Sequence, residues 1–181
     1  RLRGDGSVSV PELTERTPYA VVTNFVPSLS RSLTGPMTRE EFSRAIDAFV
    51  PSSNYMYALR VTGRFAWASA RTVVKQERPY RPMVEATDGE EIARHEDFSG
   101  TIAGFRTPLY ESGISVAGCH AHIVDDDRTW GGHLVDFVLE EGEAELCLGT
   151  DFHMRLPLTE EFRTADLSED MTEEIRRVEH H

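Results

Sequence analysis

The chain has 181 residues, 39% of them apolar, nine phenylalanines and a formal charge of −12. That length suits one domain or two small halves sharing a core, and the acidity argues against nucleic acid or an anionic membrane as partner, since both demand basic patches. Two cysteines, Cys119 and Cys147, are too few for a disulfide scaffold and suit a reducing, cytoplasmic interior; no apolar run reaches transmembrane length.

Residues 1–25 carry short β-prone pieces, Val8–Val10 and Tyr19–Phe25, broken by Gly4, Gly6, Pro11 and Pro18. The Ser/Pro/Gly-rich stretch Val26–Pro36 is expected to be loop. Thr38 followed by Glu41 forms a capping-box pattern, and Phe42, Ala45, Ile46 and Phe49 recur at helical spacing. An amphipathic helix is therefore expected over Arg39–Val50, ended by Pro51, with its apolar stripe in the core.

Tyr55–Val61 and Arg64–Arg71 are expected to form a hairpin about Thr62-Gly63. Val74–Pro82, polar and twice interrupted by proline, reads as loop; it holds Lys75, the only lysine, in a charge network with Glu77 and Arg78. Asp88–Asp97 is acidic, a solvated segment or short helix with His95 exposed. Thr101–Phe105, Ile114–Val124, His133–Leu139, Glu143–Leu148 and Phe152–Leu156 read as strands. The expected class is α+β: predominantly antiparallel or mixed β, few helices, and a barrel-like C-terminal half. Residues 1–85 are expected to form an N-terminal β-sheet part with one helix. Residues 86–179 would form the barrel-like part with a folded-back tail, and 180–181 a tag remnant. In that tail Met171, Ile175 and Val178 line one helical stripe after Ser168.

Three of the seven histidines fall between Gly100 and Glu140. His120 and His122 are two apart, so in a strand both imidazoles project from one face. Folding the hairpin near Asp127 and Arg128 sets His122 opposite His133, and directly opposed residues share a face. Three neutral nitrogen donors on one side of one hairpin, with a fourth position open, suit a zinc-like cation, although other divalent metals remain open. Cys119 alternates to the other face and is left out. His153 could be a fourth ligand, but a solvent-facing place suits it better.

The runs GTIAGFRTP and GISVAGCHAHIVDDDRTWGGHLVDF, with YMYALRVTGRFAWASARTVVKQERPY upstream, resemble bacterial α-acetolactate decarboxylase in collinear order over nearly the whole chain. The resemblance implies decarboxylation of 2-acetolactate to (R)-acetoin and CO2 on a zinc held by His120, His122 and His133, in a homodimer. It makes Arg71 the active-site arginine, where composition alone would suggest a surface residue. It also implies a functional glutamate in the tail, for which spacing favours Glu179 over Glu174. A second family glutamate belongs to an amino-terminal segment expected to be missing here, and a signal peptide could have gone with it. Two rivals stand beside this: a cupin-like dioxygenase or isomerase, suggested by Gly113, His120-x-His122, Asp125/Asp126 and Gly132, and a non-catalytic metal-binding domain.

Overall fold

The computed structural model describes residues 2–3, 6–15, 17, 19–72, 85 and 92–167. Five strands carry it: β1 (Leu29–Thr38), β2 (Met56–Arg71), β3 (Ile92–Thr107), β4 (Gly118–Asp125) and β5 (Gly131–Gly149). A helix, α1 (Arg39–Phe49), follows β1 directly, and a single turn of helix, α2 (Glu160–Thr164), lies near the carboxyl end. The strands lie in one antiparallel sheet in the order β1-β5-β2-β3-β4, and β5 pairs again with β4. β2, β3, β4 and β5 thus close a ring of pairings, short of a complete barrel. The α+β class with predominantly antiparallel strands and few helices holds. Strands from residues 1–85 and from 86–179 lie side by side, because β5 runs between β1 and β2.

The helix forms as its sequence dictates. Thr38 accepts from the Glu41 N–H while Glu41 accepts from the Thr38 N–H at 2.9 Å, a complete capping box. Phe42 and Ile46 are buried one turn apart, and the Phe42 ring meets Phe137 of β5 edge-on at 5.4 Å. Phe65 stacks on Phe98 at 5.3 Å and meets Phe137 at 6.0 Å, so β2, β3, β5 and α1 share one aromatic core. Asp47 receives Arg106 of β3 at 2.6 Å, a second tie between helix and sheet.

The expected hairpin about Thr62-Gly63 is instead one continuous strand, β2. Gly63 pairs with Gly100 on one side and Gly142 on the other, making a row of glycines across three strands. A Cβ on Gly63 would press into the Glu141 carbonyl and lie 2.9 Å from the Gly142 Cα. The glycine therefore serves close backbone approach within a curving sheet, not a turn. Gly63→Val should destabilise the fold by about 2 kcal/mol or more through overpacking, read as a lowered denaturant midpoint; an unchanged midpoint would refute the close approach.

The expected loop over Val26–Pro36 contains most of β1, an edge strand whose pairing with β5 is broken only at Gly35-Pro36. Proline is tolerated there because an edge strand needs only half its backbone donors. Glu143–Leu148 belongs to the long β5, residues 114–117 precede β4, and Phe152–Leu156 forms no strand. Residues 92–97 open β3, and His95 is not exposed: it packs between Phe98 at 4.6 Å and Trp130 at 5.2 Å. The expectations for Lys75, Glu77 and Arg78, and for the tail stripe of Met171, Ile175 and Val178, lie outside the described residues.

Candidate metal centre

Strand alternation builds the site. On β4, Ala121 and Ile123 are buried in the core, so His120 and His122 between and beside them project to the opposite face. His133 is the third residue of β5 and pairs directly with His122. The rings form a triangle of nearly equal sides: 5.4 Å from His120 to His122, 4.9 Å from His120 to His133, and 5.5 Å from His122 to His133. One nitrogen from each lies within 4.8 Å of the others. Tetrahedral zinc–imidazole bonds need nitrogens about 3.3 Å apart, so the rings would have to close in on a bound ion.

The connecting turn is held from inside. Buried Asp125 accepts from the Thr129 N–H at 2.7 Å, the Trp130 N–H at 3.0 Å and the Thr129 hydroxyl at 2.8 Å. Burial alone raises the Asp125 pKa, but these donors outweigh it and hold the carboxyl below its ordinary range. Gly131 donates its N–H to the Gly6 carbonyl at 2.8 Å, and Ser7 bridges to Trp130, so the amino-terminal residues lie against this turn. Gly132 sits where β5 crosses β2: a Cβ there would lie 2.8 Å from the Arg71 carbonyl. The two glycines before His133 thus admit the close strand contact that places it.

Arg71 ends β2 and pairs directly with His133. Arg71, His133 and His122 therefore form one lateral row on one face of the sheet. The electrostatics agree with this. Burial lowers the His120 pKa, and the Arg71 charge lowers it further. Burial, then His120, takes His122 to about 4, although part of that residue still reaches solvent. His133 falls to about 3, first through burial, then through His120, His122, Arg71 and Arg39. All three imidazoles are neutral at pH 7, the form in which they can bind a cation.

Arg39 is the residue that sequence reasoning missed; the signal was an arginine in the first turn of a helix, where acids are favoured. Cys119 lies on the other face of β4, beside Arg106, and is not part of the cluster. His153 is exposed on the stretch after β5 and also stands apart from it. Glu174 and Glu179 lie outside the described residues.

Histidines whose folded pKa is depressed contribute stability that is present above about pH 6.5, the unfolded value, and lost as pH falls toward about 3–4. The melting temperature of chelator-treated protein should therefore drop between pH 7 and pH 5, above the range of ordinary carboxylates. A flat profile there would contradict the lowered pKa of these imidazoles.

Residues 1–169 match the family model described as Alpha-acetolactate decarboxylase. This chain belongs to the alpha-acetolactate decarboxylase family. The Bacillus subtilis alpha-acetolactate decarboxylase is 39% identical over 180 residues, covering 99% of this chain and 71% of that protein. Its counterpart from Methanosarcina mazei is 36% identical over 90% of this chain, which spans only 57% of that protein's length. Among solved structures, the B. subtilis alpha-acetolactate decarboxylase superimposes with a TM-score of 0.96 at 38% identity, covering 100% of this chain and 78% of that one. A Staphylococcus aureus protein described as similar to alpha-acetolactate decarboxylase gives 0.83 at 29% identity, over 87% of this chain and 68% of that one. The alpha-acetolactate decarboxylase family is a family of carboxy-lyases, so the chain is an enzyme by kinship. That membership displaces the cupin-like alternative.

Proposed function

We propose that the protein decarboxylates 2-acetolactate to (R)-acetoin and CO2 with a zinc ion held by His120, His122 and His133, and that Arg71 and Glu179 are its catalytic side chains. The observation that carries this is the triangle of imidazoles sharing a face with Arg71, in a chain of this family. The donor set fits: three neutral nitrogens from two adjacent strands, open on the side away from the core, suit zinc with a vacant position for substrate.

Breaking the bond to the carboxylate of a β-keto acid leaves an electron pair that must pass to the neighbouring carbonyl oxygen. A bound Lewis acid lowers the energy of the charge developing there. Arg71 supplies a planar fork of donors matching a carboxylate, and it orients the departing group next to the imidazoles. Once CO2 has left, one proton must reach the former α-carbon from one face only to give a chiral product. Glu179, the tail carboxylate chosen by its spacing, is assigned that delivery. The site takes a small-molecule substrate. The active form in this proposal is a cytoplasmic homodimer. Among the described residues no helix is long and apolar enough to cross a membrane.

The test is acetoin formation from racemic acetolactate, with bound metal quantified in the same sample and the product enantiomer resolved. One (R)-acetoin per acetolactate consumed, lost on chelation and restored by zinc, is the expected result. Metal bound without acetoin, with this chain and with one extended to its relatives' length, would turn the assignment to a non-catalytic metal-binding domain.

A further inference from the structure

The pairing of β2 with β5 changes register by one residue just before the metal centre. Ser69 faces Asp136, but the next residue, Ala70, faces Leu134, so Val135 is an extra residue in β5. Without that bulge the earlier register would run on and set Leu134, not His133, opposite Arg71. A one-residue slip exchanges the faces of every side chain beyond it. The bulge therefore decides that His133 joins Arg71 and His122 on the metal face.

Something must hold the bulge, because an extra residue breaks the regular ladder of backbone pairing. The Val135 carbonyl accepts a hydrogen bond from Arg39 Nη1 at 2.6 Å. Arg39 is the first residue of α1, a position where positive charge opposes the helix dipole. Its neighbours Glu40 and Glu41 carry the charge favoured there. The arginine is thus misplaced for the helix and well placed for the sheet. Pairing of Thr38 with Val138 delivers the start of α1 alongside this part of β5.

We propose that Arg39 is a positioning residue for the three-histidine cluster: by clamping the Val135 carbonyl it locks the bulge that turns His133 toward His122 and Arg71. This rests on the metal-binding reading given above. The guanidinium holds the backbone that carries His133, in the way that groups behind metal ligands tune affinity.

The experiment measures Co2+ affinity of the full chain by competition with a chromophoric chelator, together with the visible Co2+ spectrum. Wild type, Arg39→Met, Arg39→Lys and Arg106→Met are compared. Arg106 ties α1 to β3 through Asp47, so its variant reports mere loosening of the helix. The expected result is an affinity loss of about 10–100-fold for Arg39→Met with an altered spectrum, partial recovery in Arg39→Lys, and no change in Arg106→Met. Wild-type affinity and spectrum in Arg39→Met would overturn the proposal, as would an equal loss in Arg106→Met. If Arg39→Met does not fold, Arg39→Gln, which keeps an amide donor without the charge or the fork, is judged by the same two readouts. Failure of wild type itself to bind Co2+ would remove the metal-binding reading, and the inference with it, an outcome distinct from failure of Arg39 alone.

Discussion

His133→Ala should release the cation from the protein, lowering affinity by more than about 100-fold and abolishing acetoin formation, while leaving the chain folded. His133 is the only member of the triangle supplied by β5; His120 and His122 both come from β4. Its loss leaves two imidazoles on one strand, too few for a structural or catalytic zinc site. The side chain is half-buried on the face opposite the core, so truncation leaves the packed aromatic cluster of Phe42, Phe65, Phe98 and Phe137 intact. Metal content by elemental analysis after gel filtration, with thermal melting as the check on folding, decides the matter. Full metal occupancy in the purified variant would place the site elsewhere.

Arg71→Ala should separate binding from chemistry. The guanidinium is not a ligand, so metal content should stay at the wild-type level, whereas turnover should fall by about 10²-fold or more, the size expected for losing one charge-stabilising donor. Arg71→Lys keeps the charge but not the fork, and should recover only a fraction of the rate. A second effect distinguishes this arginine from a distant surface charge. Because its charge helps depress both His120 and His133, removing it should raise the pKa of each imidazole. Histidine titration by NMR on the metal-free variant reads that shift. Wild-type kinetics together with unmoved histidines would take Arg71 out of the site.

How much of this was visible beforehand depends on how local each feature is. The capping box of Thr38 and Glu41, and the helix it starts, depend on residues within one turn, and the helix begins at the expected Arg39. The two-residue spacing of His120 and His122 needs only strand alternation, and the pairing with His133 only a hairpin of definite length. Gly63 misled because a glycine between two β-prone runs looks the same whether the chain turns there or two other strands press against it. The Ser/Pro/Gly-rich stretch misled likewise, since β1 is held by β5 from more than a hundred residues away. His95 reads as a solvated residue in an acidic run until Phe98 and Trp130 close on it.

The sequence by itself determined the three histidines that could hold a metal, their spacing along β4 and β5, the capped helix that starts at Arg39, and a strongly acidic charge. Only the tertiary structure decided that β2 runs unbroken, that Arg71 lies across from His133, and that an extra residue at Val135, held by Arg39, sets that register. The physical reason is the range of the forces involved. Caps and alternation follow from bonds between near neighbours, whereas strand register and bulges follow from packing between segments whose meeting no short window of sequence records.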